Sequence, residues 1–200
     1  MFTGIVDAIG TIENCTHRDG GINAKISAPY ESAGIALGAS ISCDGVCLTV
    51  TNCLQKGETA FFDVDISPET VNVTNLGKWI EGTAINLERA MCMGDEIGGH
   101  IVSGHVDGLA KITSIKAIGE NTVITFDAPE NLARFIATKG SACLNGTSLT
   151  INSVDKTTFS VNIIPHTMQV TNWKTYKLGD QINLEIDMLA RYVARLREFD

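Results

Sequence analysis

Ser40-Ile41-Ser42-Cys43-Asp44-Gly45-Val46-Cys47-Leu48-Thr49-Val50 is two short runs of alternating character with Asp-Gly between them. Alternation with a period of two reads as β-strand. Asp-Gly between two such runs reads as a tight hairpin, because both central residues tolerate positive φ. The stretch returns as Ser141-Ala142-Cys143-Leu144-Asn145-Gly146-Thr147-Ser148-Leu149-Thr150-Ile151. A hairpin that occurs twice in one chain points to a duplicated β-structure.

The duplication extends outward from this hairpin. Phe2-Thr3-Gly4-Ile5-Val6-Asp7-Ala8 returns as Val102-Ser103-Gly104-His105-Val106-Asp107-Gly108, and Val64-Asp65-Ile66-Ser67-Pro68-Glu69-Thr70 as Val161-Asn162-Ile163-Ile164-Pro165-His166-Thr167. Thr74-Asn75 matches Thr171-Asn172, and Gly82 to Glu88 matches Gly179 to Glu185. The order is kept, with an offset between 97 (Val64 to Val161) and 101 (Thr49 to Thr150). Units of this size are two small domains, since solenoid repeats run about 20–50 residues. Their boundary is expected near Asp95-Glu96-Ile97-Gly98-Gly99, with the glycine pair as a hinge. This divides the chain into 1–97, 98–187 and a tail, 188–200.

Within each unit, short β-branched or aromatic runs such as 59–66, 84–87, 123–126 and 159–163 read as strands. Asp19-Gly20-Gly21, Lys56-Gly57 and Leu178-Gly179-Asp180 read as turns between them. The fold class is therefore all-β, with each unit a small antiparallel barrel, closed or nearly so. Short helical pieces are expected after Pro29 and Pro129. The tail is different: Leu189, Val193 and Leu196 fall on one helical face, and the first unit has no counterpart. A helix this short is marginal alone, so its apolar stripe must be buried, most simply by self-association.

The chain has 200 residues, 44% of them hydrophobic, enough for a real core. Its net charge of −8 argues against nucleic acid and anionic membrane surfaces as partners, since both need surplus Lys and Arg. No apolar run approaches the roughly 20 residues of a membrane span. The start of the sequence lacks a basic, then apolar, leader pattern. A cytoplasmic location is expected, with the six cysteines as thiols. Their spacing lacks the paired pattern of a zinc site. His100 and His105 are separated by an odd number, which on a strand places them on opposite faces and argues against a metal pair. Phosphate-loop, dinucleotide-binding and nucleophile-elbow patterns are absent from the sequence.

Alternate residues share a strand face, so Cys47, Thr49 and Thr51 lie together, as do Ser148, Thr150 and Asn152. Each face is either a ligand wall or a solvent face of hydroxyls. His105, beside a glycine that permits close ligand approach, is a candidate functional residue. Asp187 either orients a hydroxyl or histidine or caps the tail helix.

The opening 1–6, the run 44–50, the run Asp95-Glu96-Ile97-Gly98-Gly99-His100-Ile101-Val102-Ser103-Gly104-His105-Val106, and the runs 145–150 and 163–167 closely resemble the riboflavin synthase family of duplicated lumazine-binding proteins. The resemblance spans essentially the whole chain. It implies two tandem homologous six-stranded Greek-key β-barrels plus a C-terminal α-helix. It also implies dismutation of two molecules of 6,7-dimethyl-8-ribityllumazine. A four-carbon unit passes from one to the other, giving riboflavin and 5-amino-6-ribitylaminouracil. No cofactor and no metal are implied. The partners implied are the lumazine, two further copies of the chain in a homotrimer built through the tail helix, and lumazine synthase.

By that resemblance the first barrel binds one lumazine through Gly4, Ile5, Val6, Cys47, Leu48 and Thr49 and through Asp65, Ile66, Ser67, Pro68, Glu69 and Thr70. The second binds the other through Gly104, His105, Val106, Lys139, Ser148, Leu149 and Thr150 and through Ile163, Ile164, Pro165, His166, Thr167 and Met168. Each wall is expected to be self-contained, so that each barrel alone binds lumazine. Ser40, Cys47, His105, Ser148, Thr150 and Asp187 are the implied catalytic candidates, with His105 and Thr150 as a proton relay and Cys47 as donor or nucleophile. Asn145, where the first unit has Asp44, keeps the turn but carries no charge. The alternative is a non-catalytic lumazine- or flavin-binding antenna protein, which would not need reactive groups on both walls. A flavin reductase would need a nucleotide-binding domain for which no residues remain.

Overall fold

A computed structural model describes residues 1–199. The first six strands are β1 (Ala8–Arg18), β2 (Gly21–Ala28), β3 (Ser40–Cys43), β4 (Val46–Lys56), β5 (Thr59–Ile66) and β6 (Ala84–Arg89). They close into an antiparallel barrel in the order β1-β2-β5-β4-β3-β6. The next six are β7 (Gly108–Ile118), β8 (Asn121–Asp127), β9 (Ser141–Leu144), β10 (Thr147–Asp155), β11 (Thr158–Ile163) and β12 (Gln181–Ile186). They close into a second barrel with the equivalent neighbours. Closure removes the edge strands that an open sheet would expose.

The Asp-Gly and Asn-Gly hairpins form as the sequence requires. Asp44 and Gly45 have φ of 47° and 83°, and Asn145 and Gly146 have 44° and 78°. A β-bulge interrupts β1, β4, β7 and β10 at matching places. In β4 it falls at Thr51 and in β10 at Asn152. An inserted residue breaks the two-residue period. The shared polar faces therefore stop at Thr49 and Thr150, and Thr51 instead donates its hydroxyl to the Asp63 carbonyl.

Each barrel has its own core. Ile12, Ile26, Phe62 and Leu87 fill the first, and Ile112, Phe126, Phe159 and Trp173 the second. Two short helices that the strand pattern did not reveal follow β5 and β11: α1 (Pro68–Val73) and α3 (Pro165–Val170). Ser67 caps α1 by accepting from the Thr70 amide, and each helix has proline in its first turn. The piece after Pro129 is α2 (Glu130–Ala133), while the one after Pro29 is a single 3-10 turn, Ser32–Gly34. The tail forms α4 (Met188–Arg197). No helix among the described residues is long and apolar enough to cross a membrane.

Contacts between the barrels come in equivalent pairs, as a pseudo-twofold axis requires. Phe2 and Val102 pair their backbones across it. Asn86 Nδ2 donates to the Asn145 carbonyl and Asn183 Nδ2 to the Asp44 carbonyl. The Asn172 amide donates to Asn86 Oδ1 and the Asn75 amide to Asn183 Oδ1. All five of these asparagines are buried, where an unpaired polar group is costly, and only the Asn75 and Asn172 side-chain oxygens lack a partner among the described residues. Gly99 is not a free hinge: a Cβ there would lie 2.2 Å from the Thr3 carbonyl and 2.7 Å from Ser148 Cβ. Its lack of a side chain permits close packing.

Candidate active site

In β4 the side chains of Val46, Leu48 and Val50 enter the core, which turns Cys47 and Thr49 outward. In β10 Leu149 and Ile151 enter the core and turn Ser148 and Thr150 outward. The two polar faces are thus on the barrel exteriors. Cys47 and Ser148 are half-buried and Thr49 and Thr150 exposed. Ser40 lies opposite Thr49 on the neighbouring strand. Leu48, Ile66, Leu149 and Ile163 are core residues, so only their backbones can reach a ligand.

The half-burial of Cys47 and Ser148 has a crossed origin. The Ser148 amide donates to the Gly4 carbonyl at 2.7 Å, and the Cys47 amide to the Gly104 carbonyl at 2.8 Å. Gly4 thus lies on the second barrel's strand and Gly104 on the first barrel's. This corrects the grouping expected from the sequence. Gly4, Ile5 and Val6 join Ser148, Leu149 and Thr150, while Gly104, His105 and Val106 join Cys47, Leu48 and Thr49. Each polar strand face is thus bordered by a segment from the other unit. Both glycines have positive φ, 73° and 80°, and a Cβ on either would lie 2.6 Å from Ser148 Cβ or Cys47 Cβ.

Each crossing segment is held by a buried glutamate. Glu88 accepts from the Thr3 amide, the Thr3 hydroxyl and the Gly4 amide at 2.6, 2.8 and 3.0 Å. Glu185 accepts from the Ser103 amide, the Ser103 hydroxyl and the Gly104 amide at 2.7, 2.7 and 2.9 Å. Burial raises the pKa of both carboxyls, and the hydrogen bonds oppose that rise.

His100, outside the candidate set from the sequence, is the histidine that meets one of the candidate hydroxyls: its Nδ1 is 2.7 Å from Ser148 Oγ. Its Nε2 is buried without a partner. Burial lowers the pKa of His100, and the Asp187 carboxylate partly offsets this. The imidazole is therefore biased toward its neutral form, the form able to take a proton from Ser148. The sequence signal was the Gly98-Gly99-His100 run itself, because a glycine that closely approaches Ser148 brings the next residue with it. His105 is exposed and lines a cavity with Met1, Val106, Met188 and Tyr192. Among the described residues it makes no hydrogen bond to Thr150, so the expected relay is not formed within one chain: Gly104 carries His105 to the Cys47 side.

Asp187 caps α4, accepting from the Leu189 amide at 2.9 Å, while its charge still acts on His100. Arg191 of α4 pairs with Asp107 at 2.7 Å, tying the helix to the segment that carries His105. Lys139 is exposed with φ of 69°, and its amide donates to the Ile151 carbonyl in β10. Asp65, Ser67, Pro68 and Glu69 are exposed around the start of α1, with Thr70 half-buried. Ile164, Pro165 and His166 are exposed around the start of α3, with Thr167 and Met168 half-buried.

The Asp44–Asn145 difference also has a structural reason. Asp44 Oδ1 accepts from the Asn86 amide and from Asn172 Nδ2, and the nearby Trp79 indole N–H favours its carboxylate form. Asn145 Oδ1 accepts from the Asn183 amide and Asn75 Nδ2, while its Nδ2 donates to the Tyr176 hydroxyl. Trp79 and Tyr176 occupy equivalent positions. An indole offers only a donor, which suits a carboxylate; a phenol can accept, which suits an amide. Burial pushes the Asp44 pKa up to about 7 against these hydrogen bonds.

Comparison with known proteins agrees with this architecture. A lumazine binding domain model matches residues 3–90 and again 103–187. A riboflavin synthase of Brucella abortus is 47% identical over 200 residues, covering 100% of this chain and 99% of that one. A riboflavin synthase of Bacillus subtilis is 37% identical over 195 residues, covering 98% and 89%. Among solved structures, LumP complexed with riboflavin superposes with a TM-score of 0.81 at 23% identity, covering 93% of this chain and 99% of that one. The duplicated match and the full-length identities together make this chain a member of the riboflavin synthase family of lumazine-binding proteins.

Proposed function

We propose that the chain converts two molecules of 6,7-dimethyl-8-ribityllumazine into riboflavin and 5-amino-6-ribitylaminouracil by transfer of a four-carbon unit. The observation that carries this reading is that both walls keep reactive groups: Ser148 with His100 on one, Cys47 with His105 on the other. An antenna protein needs one binding wall and no base. Joining two rings is bimolecular, and holding both in register removes much of the entropic barrier. The lumazine 7-methyl group is a carbon acid, and neutral His100 acting through Ser148 supplies a base for it. On the other wall, the Cys47 thiol or a water it orients adds to the acceptor ring. The backbones of Leu48, Leu149 and the β5 and β11 ends read the pyrimidine edge, and Lys139 and the exposed threonines hold the ribityl chain.

The two rings meet between subunits in this reading. Within one chain the buried Phe2, Val102 and Cys143 form a cluster of their own that packs against Cys47. A homotrimer through α4 fits its exposed Leu189, Tyr192, Val193 and Leu196. A cytoplasmic, reducing compartment fits six free thiols. The test is direct: incubate the protein with the lumazine alone and follow riboflavin fluorescence. One riboflavin per two lumazines consumed is expected. Tight binding with no riboflavin formed would make the chain an antenna-type binder.

A further inference from the structure

We propose that Glu88 and Glu185 are positioning residues for the two lumazine walls, each acting across the barrel boundary on the other barrel's wall. The inference rests on the lumazine reading above. Glu88 belongs to β6 of the first barrel, yet the segment it holds, Thr3-Gly4, receives the Ser148 amide of the second. Glu185 belongs to β12 of the second barrel, yet it holds Ser103-Gly104, which receives the Cys47 amide of the first. Ile5 and Val6 follow the first of these glycines, His105 and Val106 the second.

The chemistry of each cradle is specific. Three donors on two successive residues converge on one side chain, and only an ionised carboxylate has acceptors on both of its atoms. Glutamine keeps the volume but presents an NH2 to at least one N–H or O–H, opposing two donors. The glycine would then be released from one side while its carbonyl remains on the other barrel's strand. Displacement of a wall by about an ångström is enough to cost two orders of magnitude in a positioned reaction. Structural anchoring alone would not require each carboxylate to govern the wall it does not belong to.

The test uses the full chain with Glu88→Gln and Glu185→Gln. Binding of 6,7-dimethyl-8-ribityllumazine is measured by fluorescence titration, and urea melting checks the fold. Each variant should weaken lumazine binding by about tenfold, because a displaced wall must be brought back into position when the ring binds. Double-mutant cycles then locate the effect. Glu88→Gln should be non-additive with Ser148→Ala and additive with Cys47→Ala; Glu185→Gln should show the mirror pattern. If either variant does not fold, Thr3→Val and Ser103→Ala remove one donor from each cradle and should give the same coupling at about threefold. Unchanged binding in a folded variant, or coupling of Glu88 to Cys47, overturns the proposal. A wild-type protein that does not bind lumazine overturns both this proposal and the function it rests on. A wild-type protein that binds but makes no riboflavin removes only the catalytic reading, and the cycles still decide the positioning.

Discussion

His100 shows how one side chain gains a role from its surroundings. It is held against Ser148 Oγ at 2.7 Å, and burial lowers its pKa. A depressed histidine stays neutral to lower pH than its free value of about 6.5. The acid limb of kcat is therefore expected below about pH 6.5. His100→Gln should abolish that limb and lower kcat by about 10²–10⁴-fold with little change in lumazine affinity. An unchanged pH profile would exclude His100 as the base. Asp44 makes the converse case. Its folded pKa, about 7, lies above the unfolded value near 3.9, so its contribution to stability is complete below about pH 4 and is lost as pH rises through about 7. Asp44→Asn should remove that slope from urea melts taken between pH 4 and 8. The new amide would face the Trp79 indole N–H, and adding Trp79→Tyr should recover about 1 kcal/mol. No coupling between the two substitutions would refute the donor–acceptor account of Asn145.

At the scale of elements, the crossing segments matter more than the strands they touch. A Cβ at residue 104 would sit 2.6 Å from Cys47 Cβ, 2.9 Å from the Cys47 backbone nitrogen and 3.0 Å from the buried Phe2 ring. Gly104→Ala should displace the segment carrying His105 and Val106 and weaken lumazine binding about tenfold or more, read by the same titration. Gly119→Ala is the control. It has positive φ of 60° but open space around it, so it should lower stability by about 1 kcal/mol and leave binding alone. The tail helix shows the same dependence on its ends: Asp187 caps it and Arg191 ties it to Asp107.

For the whole molecule, the crossed walls make the halves interdependent. The fragment 1–97 retains Cys47 but lacks Gly104 and Val106, so it should bind lumazine only at concentrations where two copies pair and the Gly4 segment of one replaces the Gly104 segment. Concentration-independent binding by a monomeric half would contradict the crossed arrangement. The exposed stripe on α4 bears on assembly in the same way. Val193→Asp with Leu196→Asp leaves Arg191 on Asp107, and should give monomers by sedimentation that bind lumazine but lose most turnover. Full activity in a monomer would exclude a site shared between subunits.

The period-two runs, the Asp44-Gly45 and Asn145-Gly146 turns and the repeat were enough to give two antiparallel barrels and a tail helix, because strand faces and hairpins are set by local chemistry. The shared faces of Cys47 with Thr49 and of Ser148 with Thr150 were legible for the same reason, while the cap at Asp187 was one of two roles the sequence left open. The bulges at Thr51 and Asn152 were not, since an inserted residue is defined only against its partner strand. Nor were α1 and α3, where the proline signal lay inside stretches read as ligand contacts. The partner of Ser148, the crossing of Gly4 and Gly104, and the match of Asp44 to Trp79 and Asn145 to Tyr176 required the tertiary structure. Each depends on which surface of one barrel meets the other, and a repeat fixes two similar surfaces without saying whether they pack face to own face or exchange their edges.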